Sequence, residues 1–232
     1  MFVGIPSRRR VGIRWATPLL VISAVVAFVL MLRPESQDAR HALLLRWGAL
    51  SGALPEGLSG WVEAASSGRL LSLVSALFIH ADWIHLLGNL LFLMIFGLPA
   101  ERAMGPWRFL VLFVLGGALA NLAAAALMDA PNRIIIGSSG AVSAVIGAYL
   151  ALFPRARLGI VVPLGLFLEF VRVPAFLLIG LWALVQGIFT TVGPAFGAVA
   201  WWAHVAGFGF GIAFALSQRD AVARRLRSAW GS

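Results

Sequence analysis

The 232-residue chain is 61% hydrophobic and 12% charged, with a mean hydropathy of +0.94, whereas a soluble domain runs near half apolar and a quarter charged; these values exclude a soluble globular domain and indicate a polytopic membrane protein. The formal net charge is +9, but no basic face alternates with aromatics, so nucleic acid is not an expected partner and the arginines are read as orientation signals between apolar runs. The lack of cysteine excludes disulfides, thiol catalysis and cysteine metal ligation.

Six apolar runs are each about 18–20 residues, enough for roughly 27–30 Å of helix and a bilayer crossing. They are placed at Trp15–Leu32, Trp83–Ala100, Phe109–Met128, Ile134–Phe153, Val173–Thr191 and Ala198–Ser217. The expected fold is therefore all-α, a bundle of six transmembrane helices. A basic N-terminal segment, 1–14, contains Arg8-Arg9-Arg10 and precedes a run long enough to remain as an anchor, so no cleavable signal is expected. The core covers 15–217 and a basic tail covers 218–232.

With the N-terminus inside, the inner segments hold Arg8, Arg9, Arg10, Arg14, Arg102, Arg108, Arg155, Arg157, Arg172, Arg219, Arg224, Arg225 and Arg227, leaving Arg33, Arg40, Arg46, Arg69 and Arg133 outside. This asymmetry predicts cytoplasmic termini. The long outer segment, 33–82, contains His41–Leu50, too short to cross and carrying Arg46 and Trp47 among leucines, which reads either as an interfacial helix or as a packed loop. Ile160–Phe170, interrupted by Pro163 and Gly165, is expected to form an interfacial hairpin, since a seventh span would move the Arg-rich C-terminus outside.

The second, fourth and sixth spans run in the same direction, so polar residues near their starts share one depth. Those residues are His85 and Asn89, Ser138 and Ser139, and His204, all on the order of 3–10 Å below the outer boundary. Polar side chains within spans are costly and mark a pathway or a site. An imidazole beside a serine can take its proton during attack on a carbonyl and return it to a leaving amine. His85 and Asn89, four residues apart, share a helix face and can offer N–H groups to an oxyanion. Asp82, Asp129, Glu101, Glu169 and Asp220 fall at span ends or in loops, which predicts a Ser-His pair without a carboxylate. Either Ser138 or Ser139 satisfies this chemistry. Small residues at four-residue spacing, Ala203, Gly207, Gly211 and Ala215 against Ser139, Ser143 and Gly147, predict close approach of the fourth and sixth spans.

Gly137-Ser138-Ser139-Gly140, Ala203-His204-Val205-Ala206-Gly207 and His85-Leu86-Leu87-Gly88-Asn89 match, in order and topology, the G-x-S-G, A-H-x-x-G and H-x-x-x-N motifs of rhomboid intramembrane serine proteases. The resemblance covers residues 15–217. It implies Ser139 as nucleophile, His204 as general base, and an oxyanion hole from His85, Asn89 and the Ser139 backbone N–H, with no cofactor and no metal. It implies single-span membrane proteins as substrates, cut at a water-filled depression open to the outer side. Substrate access is expected between the second and fifth spans, with the fifth span and the 192–198 loop as gate. The resemblance gives Glu101 a structural role and puts His80 where some members keep another histidine. Ser138 and Ser143 depart from the pattern, Ser143 standing where some members carry an aromatic residue that supports the histidine. A bacterial cytoplasmic membrane is the expected location. The alternative reading is a catalytically inactive relative that binds membrane clients; a transporter would favour midplane sites and repeat symmetry.

Overall fold

The computed structural model describes residues 14–33, 36–52, 55–128, 132–164, 167–192 and 200–230. The Arg8-Arg9-Arg10 run, Asp129 and most of the expected gate loop, 193–198, lie outside them. The first apolar run forms α1, Ala16–Met31. The outer segment then folds as α2 (Gln37–Trp47), β1 (Ala49–Leu50), α3 (Gly57–Ser66) and α4 (Arg69–Ser75), followed by a 3₁₀ turn at Ala76–Phe78.

The second span is one winding of 22 residues, Trp83–Met104, made of α5 (Trp83–Phe92), a π-helical stretch (Leu93–Gly97) and α6 (Leu98–Met104). Pro99, which has no N–H to donate, follows directly after the wider winding. Gly105, with φ of +86°, then makes the reversal that a side chain would strain. Pro106 opens α7, Pro106–Leu127. The chain continues through β2 (Ile134–Ile135), α8 (Ser139–Leu152), the strands β3 (Arg157–Leu164) and β4 (Phe167–Pro174), α9 (Ala175–Val192) and α10 (Trp201–Trp230). β1 pairs antiparallel with β2, and β3 with β4, so the expected hairpin at 160–170 is present as a longer one.

The apolar surface faces outward as well as inward. Ile84, Leu87, Leu91 and Ile95 form an exposed stripe along the second span, and Leu177, Leu181, Leu184 and Ile188 another along α9. Such stripes on a single chain suit a hydrocarbon solvent. Among the described residues, three helices, Trp83–Met104, Pro106–Leu127 and Ala175–Val192, are long and apolar enough to cross a membrane.

Three boundaries differ from expectation. The fourth span is helical only over Ser139–Leu152, with Ile134–Ile135 in a strand. It can be short because Gly140 through Tyr149 are all buried by neighbouring helices and need not meet lipid along a full crossing. The sixth helix does not stop at Ser217: the expected tail continues as helix to Trp230, because no Gly or Pro interrupts 218–230 and Val222 is buried in the core. There, a Cβ on Gly105 would lie 3.0 Å from the Arg225 guanidinium, so this extension rests against the α6–α7 turn. The outer segment contains two further helices, α3 and α4; Asn121 Nδ2 donates to the Leu73 carbonyl at 2.8 Å and ties α4 to α7.

Glu101 supplies the N-terminal cap that α1 lacks locally. Its carboxylate, 1% exposed, accepts from the backbone N–H groups of Ala16 and Thr17, both at 2.9 Å, and from the Thr17 hydroxyl at 2.6 Å. Three buried donors near one helix end depend on one side chain. Glu101→Ala should therefore destabilise the bundle by at least about 3 kcal/mol, given ~1–3 kcal/mol for each orphaned buried group. Glu101→Gln should cost less than Glu101→Ala, and reversible unfolding in detergent would read the order.

Candidate active site

The site is assembled by the contact between α8 and α10. A Cβ on Gly207 would collide with the Gly140 carbonyl oxygen, one on Gly211 with the Ala144 carbonyl, and one on Gly147 with the Phe208 carbonyl. The two helices thus meet backbone to backbone, as the small-residue spacing predicts. Ser139 adjoins Gly140, and His204 lies one turn before Gly207, so the seam delivers a short side chain to an imidazole. His204 Nε2 stands 2.9 Å from Ser139 Oγ.

The other serine faces elsewhere. Ser138 Oγ is 3.3 Å from His80 Nε2, and His80 Nδ1 is 3.3 Å from the Phe78 carbonyl. The carbonyl can only accept, so Nδ1 carries the proton and Nε2 accepts from the Ser138 hydroxyl. Ser138 is 3% and His80 1% exposed. Two adjacent serines therefore have separate histidines, one pair sealed and the other at a half-buried surface.

His85 packs against the Gly137 turn, its ring centroid 5.1 Å from that of His80. Gly137 has φ of +107°, and a Cβ there would sit 2.6 Å from His85 Cε1 and Nε2, so only glycine admits the ring. Asp82 caps α5 by accepting from the His85 N–H at 2.8 Å. The Ala81 N–H approaches His85 Nδ1 at 3.5 Å, which leaves Nε2 as the protonated nitrogen. Asn89, one turn on and 7% exposed, holds Nδ2 as a buried donor without an acceptor among the described residues. The Ser138 side chain does not cap α8, so the first N–H groups of α8, including that of Ser139, have no intrahelical partner.

A family model described as the Rhomboid domain matches residues 67–219. The chain belongs to the rhomboid family. Named relatives include "RHOMBOID-like protein 6, mitochondrial" of Arabidopsis thaliana, 25% identical over 158 residues covering 59% of this chain and 51% of that protein. "Rhomboid-like protease 3" of Toxoplasma gondii is 28% identical over 140 residues, covering 60% of this chain and 48% of the relative. "Inactive rhomboid protein 1" of Drosophila melanogaster is 29% identical over 96 residues, 41% of this chain and 7% of the relative. This rhomboid spans about half the length, or less, of these relatives.

Sequence reasoning missed Gln186 in this rhomboid. It lies in the largely apolar α9, 7% exposed, with Oε1 2.6 Å from His204 Nδ1. A lone Gln in a run of Leu, Ile, Val and Phe was the available signal, since buried polar groups in spans need a partner. Ser143, where a supporting aromatic was absent, instead donates to the Ser139 carbonyl at 2.7 Å. Trp182 and Trp201 flank the His204 ring, with centroids 6.5 and 5.9 Å away.

His80 lies just outside the second span, and burial, followed by the neighbouring His85, pushes its pKa from 6.5 to about 4. The unfolded chain takes up a proton near pH 6.5 that the folded chain refuses until about pH 4. Stability is therefore lost as pH falls through this window, by up to about 1.4 kcal/mol per pH unit. His80→Gln, which does not titrate, should flatten the pH dependence of unfolding between pH 6.5 and 4 by about one proton.

Proposed function

We propose that this rhomboid is an intramembrane serine endopeptidase, with Ser139 as nucleophile and His204 as general base. The 2.9 Å approach of Ser139 Oγ to His204 Nε2 carries this reading. The imidazole takes the hydroxyl proton as Oγ attacks the scissile carbonyl, and the tetrahedral oxyanion forms near the start of α8. Asn89 Nδ2, His85 Nε2–H and the Ser139 backbone N–H are the donors that would hold it, and the absence of an acceptor for Asn89 Nδ2 among the described residues supports that assignment. Collapse expels the amine, which takes the proton from His204, and water then hydrolyses the acyl-enzyme with His204 again as base.

The substrates that suit this site are single-span membrane proteins cut in or near the outer part of their transmembrane helix. A helix hides its carbonyls in hydrogen bonds, so the segment must unwind locally, which favours small or helix-breaking residues near the cut. The arginine distribution supports an orientation with both termini on the cytoplasmic side of a bacterial inner membrane and the site open outward.

In liposomes with a single-span reporter, Ser139→Ala and His204→Ala should each abolish cleavage, a loss of at least ~10³-fold. Asn89→Ala should lower kcat by roughly 10–10³-fold. Ser138→Ala should retain cleavage, because its hydroxyl serves the sealed pair with His80. A folded wild-type protein that cut no reporter in a broad panel and took up no fluorophosphonate probe would replace this reading with client binding without cleavage.

A further inference from the structure

We infer that Gln186 is a positioning residue that fixes the tautomer of His204 and so completes an uncharged Ser139–His204–Gln186 relay, an inference that rests on the protease reading of the same site. A neutral imidazole has one protonated nitrogen, and the hydrogen bond made by one nitrogen decides the state of the other. The 2.6 Å contact is to the Gln186 amide oxygen, which can only accept. Nδ1 must then carry the proton. Nε2 is left with its lone pair 2.9 Å from the Ser139 hydroxyl, the arrangement a general base requires. The opposite tautomer would present an N–H to that hydroxyl and could not take its proton.

Among the described residues, no other side chain offers this acceptor. The Ser143 hydroxyl is committed to the Ser139 carbonyl. Trp182 and Trp201 approach His204 with rings, and an indole nitrogen donates rather than accepts. No carboxylate bonds the imidazole. The neighbouring polar residues of α9, Thr190 and Thr191, donate to carbonyls within their own helix. Gln186 alone among these three reaches across to α10. In the Ser-His-Asp arrangement the acid selects the tautomer and also stabilises the imidazolium; an amide oxygen retains the first role and most of the second is absent. That suits a low-dielectric setting, where an unpaired carboxylate is costly to bury.

The test combines nitrogen-15 imidazole spectra of the full chain in liposomes with reporter cleavage across pH for wild type, Gln186→Leu and Gln186→Glu. In the wild type, the His204 Nδ1 signal should be of the protonated type and Nε2 of the lone-pair type. Gln186→Leu should mix the tautomers and lower kcat by roughly 10–10²-fold with KM unchanged. Gln186→Glu keeps an acceptor, so it should restore Nδ1 protonation and most of kcat. Its carboxylate favours the imidazolium, so the acid limb of the rate profile should move up by about one pH unit or more.

An unprotonated Nδ1 in the wild type would overturn the inference without any variant. So would a Gln186→Leu protein that kept both the wild-type tautomer and kcat, or equal losses in both variants with an unmoved acid limb. A wild type that shows the Gln186-dependent tautomer yet neither cleaves nor labels would instead remove the protease reading while leaving the tautomer assignment standing.

Discussion

Everything at the site depends on how closely α8 and α10 approach. The three glycine contacts, Gly207 on Gly140, Gly211 on Ala144 and Gly147 on Phe208, put main chain against main chain for two turns beside Ser139 and His204. The oxygen of a serine side chain lies a single bond beyond its Cβ, so a separation set by leucines would leave the hydroxyl stranded from the imidazole. In hydrocarbon there is no gain from hiding apolar surface between helices, and the approach draws on van der Waals contact between small residues. The rest of the bundle supports that seam. Ala120 packs on Gly140 and Ala144 on Gly116, bringing α7 in on the other side of α8.

Apart from Ser143, whose hydroxyl bonds within its own helix, the buried polar groups follow a common rule of having specific partners from other elements of the chain. Glu101 caps a helix 84 residues earlier, Asn121 ties α7 to the outer segment, His80 holds Ser138, and Gln186 holds His204. Each bond joins separate elements, so each fixes a relative position that packing alone would leave to slide. Asn89 departs from the rule, with a buried amide nitrogen that has no acceptor among the described residues. An unsatisfied donor is a liability in a resting fold and an asset where negative charge develops transiently.

Much of this was readable in the sequence because membrane spans impose a simple code. Long apolar runs located α1, the second span, α7 and α9 to within a few residues. Counting crossings groups His85, Ser139 and His204 at one end of their helices, and the structure brings Ser139 to His204 and His85 against the neighbouring Gly137. What the code could not give was anything set by partners across the fold. α8 is shorter than its apolar run because Gly137 adopts a positive φ to receive the His85 ring, a contact between residues 52 positions apart. The helical tail was hidden because its arginines read as solvated, while Val222 carries it into the core. The Gln186 bond was illegible because periodicity does not say which face of α9 meets α10. Spacing alone leaves Ser138 and Ser139 equivalent and the family motif favours Ser139; the structure sets them apart by histidine contacts that are not local in sequence, His80 for Ser138 and His204 for Ser139.

The shortness of α8 has a consequence for the membrane as an insulator. Fourteen residues rise about 21 Å, some 9 Å less than a typical hydrocarbon core of ~30 Å. Ser139 stands at one end of this shortened helix. Beneath it run ten consecutive buried residues, Gly140 to Tyr149, whose one hydroxyl-bearing aliphatic member, Ser143, is tied back to its own helix. Such a stack offers no continuous row of groups along which protons or ions could step. Under the proposed function, water admitted at the Ser139 end would meet this packed helix rather than a chain of polar groups running on through α8.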